Sequence, residues 1–338
     1  MPTSSHQSAK PTTILTGFLG AGKTTYLNFL LTKKSRTRYA IIENEYGEQS
    51  IDSDLIIRAE DEIVELNNGC LCCTLNENLY EILNSLFDRR DEYDEIVIEA
   101  TGVANPAGLA EPFVSHPAIK QHFPLTNIIC LIDAELIEGQ LAETEEAIGQ
   151  ITYSDVLLVN KTDLVREEHL TRLVARLQRL NPLAKIVLGN KTSFPDINVA
   201  DDEALFNELY HKSDHAKAHH HDKKSFPVSS PHSHFHHHHT DEVVSHTFTF
   251  DRPFVKQSLY HQLHAYLVFQ SRGLYRMKGL VWIKDSNQQH LIQSVGKRLD
   301  TGEKRTWGPG EEKLSRIVFI GKDLARKGLE RLLNRCFV

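Results

Sequence analysis

The sequence predicts an α/β fold: a parallel sheet with helices on both faces, followed by a smaller C-terminal α+β domain. Three observations predict it. Short runs that are apolar on both faces, such as those within Asn127–Ile132 and Val156–Val159, alternate with stretches at helical spacing, the pattern of parallel strands buried between helices. A glycine-punctuated turn joins the first such run to the first helical stretch. The chain of 338 residues changes composition near Tyr210, and its length fits two domains if each takes about 150 residues.

In chain order, Thr12–Thr16 reads as a strand ending at Gly17, and Tyr26–Leu31 as part of the helix after the turn. Tyr39–Ile42 and Ile63–Leu66 are the next strands. Leu79, Ile82, Leu83, Leu86 and Phe87 make one face of a helix. Ile96–Ile98, Asn127–Ile132, Val156–Val159 and Ile186–Leu188 are short buried strands, with a helical stretch over Leu164–Leu180 between the last two. Residues His211–His246 then hold twelve of the nineteen histidines, mixed with Ser, Lys, Asp and Pro. Such a segment buries too little apolar surface to fold alone. It is read as a flexible linker over 211–242, between a domain over 1–210 and another over 243–338. In the latter, Val244–Phe250 alternates like a strand and Val255–Phe269 suits a helix. Gly279–Ile283, His290–Val295 and Ile317–Ile320 read as strands, and Leu324–Leu333 as a closing helix.

Composition excludes several classes. Lys plus Arg (38) against Asp plus Glu (45) leaves a net charge of −7, which argues against a nucleic-acid binder with a basic face. No apolar run approaches the ~20 residues of a membrane span. Met1–Lys10 is polar and lacks the apolar core of a secretion signal. Three of the five cysteines fall within Cys70–Cys73. An odd, clustered set is no disulfide framework and fits a reducing cytoplasm.

The strongest motif is Gly17-Phe18-Leu19-Gly20-Ala21-Gly22-Lys23-Thr24, a phosphate-binding loop between strand and helix. Its glycines let backbone N–H groups wrap a phosphate chain, and the helix that follows turns its positive end toward the anion. Lys23 is expected to reach the β- and γ-phosphates and the Thr24 hydroxyl to bind Mg²⁺. The parallel sheet is thus of the P-loop NTPase kind. Asn160-Lys161-Thr162-Asp163 follows the strand ending at Val159. A carboxylate at that place accepts from guanine N1–H and its exocyclic amine, whereas adenine would leave it unpaired. Glu99-Ala100-Thr101-Gly102 closes the strand Ile96–Ile98. Glu99 would there face the phosphates at the sheet's carboxyl edge and hold Mg²⁺ through water. Gly102 would offer its N–H to the γ-phosphate and sense hydrolysis. No water-positioning Gln is evident, so slow intrinsic turnover is expected.

Cys70-Leu71-Cys72-Cys73 follows the turn-like Asn67-Asn68-Gly69. Cys70 and Cys72 can converge on one ion, with Cys73 structural or exchanging with them. Carboxylates within Glu43–Glu48 can complete the shell. A mixed sulfur and oxygen set suits Zn²⁺ or Co²⁺ better than Mg²⁺. The competing readings are buried apolar cysteines and a redox pair, though adjacent Cys72 and Cys73 would make a strained disulfide. Cys130 and Cys336 read as structural. The runs His219–His221 and His234–His239, the latter interrupted by Phe235, form a weak, multi-site metal collector. A solvated linker with incidental metal affinity is the bland alternative. An affinity tag fits poorly with a run that is internal and interrupted.

Together these residues resemble the CobW-like family of P-loop GTPases. Its hallmarks are GFLGAGKTT (Gly17, Phe18, Leu19, Gly20, Ala21, Gly22, Lys23, Thr24 and Thr25), E-N-E-F/Y-G-E (Glu43–Glu48), G-C-x-C-C (Gly69–Cys73), E-x-T-G (Glu99–Gly102) and N-K-x-D (Asn160–Asp163), all present in order. Arg276-Met277-Lys278-Gly279, Trp307-Gly308 and Val318–Gly321 resemble the family's second domain. The resemblance implies GTP hydrolysis coupled to handling of a transition metal and its delivery to a client metalloprotein. By motif match it assigns Glu43, Glu48 and Cys72 as metal ligands, with Cys70 and Cys73 nearby. Asn76 stands where many members carry Arg, and Asn105-Pro106 where many carry Asp-Pro; either change bears on turnover or client choice. The C-terminal domain is a candidate client-contact region. Zinc is favoured over cobalt. The rival readings are a zinc buffer regulated by nucleotide, a cobalt chaperone for a cobalamin or nitrile hydratase pathway, and a small-molecule kinase.

Overall fold

The computed structural model describes residues 9–33, 37–43, 63–65, 75–102, 104–190, 193–195, 197 and 243–337. The expected linker over 211–242 lies outside them. The N-terminal part runs β1 (Thr12–Gly17), α1 (Lys23–Lys33), β2 (Tyr39–Glu43), β3 (Ile63–Glu65), α2 (Leu75–Asp88), β4 (Glu95–Glu99), α3 (Pro106–Ser115), α4 (Pro117–His122), β5 (Leu125–Asp133), α5 (Ile137–Glu143), α6 (Glu145–Tyr153), β6 (Val156–Asn160), α7 (Glu167–Leu180) and β7 (Lys185–Leu188). The seven strands form one sheet in the order β3-β2-β4-β1-β5-β6-β7, and every pairing is parallel.

Successive strand residues point to opposite faces, so each strand feeds two cores. Ile14, Ile96, Ile98 and Ile128 pack against Leu79, Leu83 and Leu86 of α2 and Phe113 of α3. Leu15, Val97, Ile129 and Leu131 pack against Tyr26 and Leu27 of α1. Farther along, Cys130, Ile132, Leu157 and Val159 meet Ile151 of α6 and Leu173 and Leu177 of α7. Burial on both faces explains why these strands read as unbroken apolar runs.

The C-terminal part runs β8 (Val243–Phe250), α8 (Lys256–Phe269), β9 (Leu274–Trp282), β10 (Gln288–Val295), β11 (Arg298–Thr306), β12 (Ser315–Lys322) and α9 (Arg326–Asn334). Its strands form an antiparallel sheet in the order β11-β10-β9-β12-β8. Leu259, Leu263 and Leu267 of α8, with Leu329 and Leu333 of α9, cover one face, meeting Met277, Val281, Ile292 and Phe319. The opposite face carries Leu280, Leu291, Val318 and Ile320, which pack on Leu183 of the N-terminal domain. This sheet is therefore the surface that docks the two domains.

The sequence reading has no elements at α3, α4, α5, α6 and β11. Strand β11 is mostly exposed, with no apolar alternation to mark it. The four helices are short, and α3 carries Pro112 in its interior. Local chemistry starts two of them: the Asn105 side chain accepts from Ala107 N at 3.0 Å, and Thr144 Oγ1 from Ala147 N at 3.3 Å, which are N-caps.

Candidate nucleotide site and metal ligands

Strand β1 ends at Gly17 with φ +136°, in the middle of the sheet. A Cβ at Gly17 would collide with the Leu131 carbonyl oxygen, and one at Gly22 (φ +99°) with the Asn160 amide, so both places require glycine. Between them Ala21 N donates to Phe18 O at 3.1 Å. Helix α1 starts at Lys23, directing its N-terminal end into the loop. Lys23 is 8% exposed, and its Nζ donates to Gly17 O at 2.9 Å and Phe18 O at 3.3 Å.

Thr24 Oγ1 lies 3.5 Å from Glu99 Oε1. Glu99 ends β4, in register with Leu15 of β1 on one side and with Glu43 of β2 on the other. The Thr24 hydroxyl and Glu99 carboxylate make a hard-oxygen pair at the carboxyl edge of the sheet, a donor set that fits Mg²⁺ and not a soft ion. Gly102 follows, packed so closely on the phosphate loop that a Cβ would stand 2.7 Å from Leu19 N.

At the end of β6, Asn160 donates through Nδ2 to Ala21 O at 2.9 Å, tying N-K-x-D to the phosphate loop. Asn160 is 3% exposed, and its Oδ1 is buried with no partner among the described residues. Lys161 takes a left-handed conformation (φ 59°, ψ 32°). Its ammonium pairs at 2.6 Å with Asp133 Oδ2, the last residue of β5 and 1% exposed. Asp163 sits exposed in the 3-10 turn Thr162–Leu164, which Thr162 Oγ1 anchors to Gly189 O at 3.0 Å. Asp163→Asn is expected to weaken guanine nucleotide binding about 10²-fold or more and to raise affinity for xanthine nucleotides, because the carboxylate's two acceptors become an acceptor and a donor. Competitive titration with GDP and XDP checks this.

The sheet brings together the phosphate loop, Glu99, Gly102, Asn160, Lys161 and Asp163, and places the backbone of Glu43 one strand from Glu99. Glu48, Cys70, Cys72 and Cys73 lie outside the described residues. Among the described residues no cluster of three or more His, Cys, Asp or Glu is arranged to hold a metal. Cys130 and Cys336 are buried free thiols. Burial pushes the Cys130 thiol up to about 12 against the opposing pull of Lys23, and burial also raises Cys336. Neither is poised as a thiolate ligand.

Two side chains here escaped the sequence reading. Asp133 ends an apolar strand in register with Asn160, and a lone carboxylate closing such a run was the available signal. Gln150 on α6, 1% exposed, donates through Nε2 to Gly102 O at 3.1 Å and Ala104 O at 3.3 Å. Nothing in its local sequence marks it.

A phosphate loop at the head of the central strand and N-K-x-D two strands away define a P-loop nucleotide-binding protein. Residues 11–188 match the family described as CobW/HypB/UreG, nucleotide-binding domain, and residues 243–337 the one described as cobalamin synthesis protein cobW C-terminal domain. The chain belongs to the CobW family. It is 32% identical over 316 residues to the zinc chaperone YjiA of Escherichia coli strain K12, covering 92% of this chain and 94% of that protein. It is 31% identical over 346 residues to zinc-regulated GTPase metalloprotein activator 1 of Schizosaccharomyces pombe, covering 94% and 83% respectively. The crystal structure of Zn(II)-bound YjiA GTPase from E. coli superposes with a TM-score of 0.66 at 26% identity, over 98% of this chain and all of that one (100%).

Proposed function

We propose that this chain is a GTP-hydrolysing metallochaperone that binds a transition metal, Zn²⁺ by preference, beside its nucleotide switches and passes it to a client metalloprotein. The observation that carries the reading is the register of Glu43 with Glu99, which sets a carried-over metal ligand one strand from the residue beside Thr24. Lys23 and Thr24 bind the phosphates and Mg²⁺, Glu99 supports the Mg²⁺ through water, and Gly102 senses the γ-phosphate. The loop Gly17–Thr25 holds the phosphate chain, and Asn160, Lys161 and Asp163 select guanine. Bound Mg²⁺ supplies positive charge at the oxygens where negative charge develops.

The cargo ion is assigned to Glu43, Glu48 and Cys72, with Cys70 and Cys73 nearby. Glu43 and Glu48 bracket the first switch position, so drawing the switches toward the terminal phosphate changes the spacing of the cage. A tenfold change in metal affinity needs only about 1.4 kcal/mol of differential binding, which one displaced ligand supplies. By reciprocity the metal changes nucleotide affinity by the same factor. The clustered thiols support a reading of a reducing, cytoplasmic compartment; no helix among the described residues is long and apolar enough to cross a membrane. The C-terminal domain is the proposed client-contact region.

Zinc titration of the wild type and of Cys72→Ala tests this, each with GDP and with a non-hydrolysable GTP analogue. The expected result is about a tenfold or larger difference between nucleotides in the wild type and its loss in Cys72→Ala. Equal zinc dissociation constants under both nucleotides would overturn the reading.

A further inference from the structure

We infer that α6 couples the terminal-phosphate sensor to the C-terminal domain, which makes Gln150 and Arg276 positioning residues for GTP hydrolysis. The inference rests on the reading of Gly102 as that sensor and goes beyond it by naming what holds the sensor in place.

Helix α6 is gripped at its middle and at its end. At the middle, Gln150 uses its buried amide to hold two carbonyls of the switch, Gly102 O and Ala104 O. Its Oε1 is buried with no partner among the described residues. A buried acceptor left unpaired is unfavourable, so the side chain is oriented by its hold on the switch rather than by its own full satisfaction.

At the end of α6, Arg276 Nη1 donates to the Tyr153 carbonyl and Nη2 to Asp155 Oδ1. Lys278 Nζ lies 3.5 Å from the same carboxylate oxygen. Residues 276, 278 and 280 alternate with 277, 279 and 281 along β9. They therefore share the sheet face that docks on the N-terminal domain, where Leu280 packs with Leu183. Arg276 is 4% exposed. Asn181 Nδ2 ties Ile151 O, Thr152 O and Ser154 O together at 2.7 to 3.2 Å, so the end of α6 and the turn after it form one firm unit. At the helix start, Glu145 pairs with Lys322 of β12 at 2.7 Å, but Glu145 is 77% exposed and that pair contributes little.

A helix of nine residues spans only about 14 Å and moves as a rigid piece. Gly102 has little room to move independently, since it abuts Leu19 of the phosphate loop. A change in how the C-terminal domain seats on α6 therefore reaches Gly102 through Gln150, and a movement of Gly102 toward a terminal phosphate reaches Arg276 by the same route. The coupling is reciprocal for binding. A protein partner that shifts the C-terminal domain would alter turnover without touching the nucleotide.

The test uses the full chain. Steady-state kcat and KM for GTP, and dissociation constants for GDP and a non-hydrolysable GTP analogue, are measured for Gln150→Leu, Arg276→Met, the double variant, Arg276→Lys and Lys120→Ala. Lys120 pairs with Asp300 across the same domain junction but from α4, so Lys120→Ala controls for general loosening. Gln150→Leu and Arg276→Met are each expected to lower kcat about tenfold, with KM and GDP affinity within about twofold of wild type, as a displaced positioning group does. The double variant is expected to be no worse than the poorer single one, Arg276→Lys to recover most of the rate, and Lys120→Ala to match wild type.

The inference is overturned if Arg276→Met behaves as Lys120→Ala does, or if the two α6 effects multiply. Hydrogen exchange of the wild type needs no variant. Protection across 145–155 and 274–280 should differ between GDP and the GTP analogue, and identical protection counts against the link. Gly102→Ala separates the underlying reading. If it leaves the ratio of GTP-analogue to GDP affinity unchanged, the sensor assignment falls and this inference with it. If it shifts that ratio while Gln150→Leu and Arg276→Met do not alter kcat, the link alone falls.

Discussion

Lys23→Ala is expected to reduce GTP turnover by about 10²- to 10³-fold, the scale of removing one preorganised group that stabilises transition-state charge. The ammonium is buried and held by two carbonyls of its own loop, so it is aimed before nucleotide arrives and no reorganisation is needed during reaction. Lys23 opens α1 at the edge of the loop, and the core beside it is built from Ala21, Tyr26 and Leu27 with the strand residues Leu15, Val97, Ile129 and Leu131. The variant should therefore fold, with Gly17 and Gly22 still shaping the turn. Single-turnover hydrolysis at saturating GTP is the measurement, with circular dichroism as the folding control. Loss of less than about tenfold would mean that another group carries that charge. Lys23→Arg should not rescue, because a planar fork replaces a point charge in a loop that fits closely.

Asp155→Ala is expected to destabilise the docking of the two domains by about 3–5 kcal/mol, the usual range for breaking a buried ion pair from one side. It leaves Arg276 and Lys278 in the junction without their shared carboxylate, and it removes the acceptor of Ile128 N. The hydrophobic contacts of the antiparallel sheet with α8 and α9 are untouched. Calorimetry should consequently show an earlier, separate transition for the C-terminal domain rather than global collapse.

The same carboxylate sets an acid dependence. Burial pushes Asp155 up, but Arg276 and Lys278, with the Ile128 N–H, outweigh that and hold it below the usual carboxylate range. A carboxyl lowered in the folded state contributes fully above its unfolded value, about 3.9. That contribution is lost as pH falls through the lower folded value. Docking should be insensitive to this group from about pH 5 upward and weaken below it, and Asp155→Asn should remove that acid component. A wild-type transition temperature with the same acid slope as the Asn variant would contradict the assignment.

Much of the nucleotide site was legible from residue order because its parts are local. The turn from Gly17 to Thr24, the start of α1 and the turn after β6 each depend on the backbone freedom or side-chain chemistry of adjacent residues, and the strands that carry them are buried on both faces. The short helices α3 to α6 and the edge strand β11 were not legible. Their burial comes from neighbours distant in the chain, and their own periodicity is weak.

Local sequence thus determined the phosphate loop, the guanine motif, the parallel sheet and the family, since a backbone turn and a run of apolar side chains specify themselves. Folding alone settled that Glu43 stands in register with Glu99, that Asp133 holds Lys161, and that Gln150 and Arg276 tie the middle and the end of one helix to two different parts of the molecule. These pairs unite residues from 28 to over 120 positions apart. Such a pairing is a property of strand order and domain docking, and no short window of residues contains it.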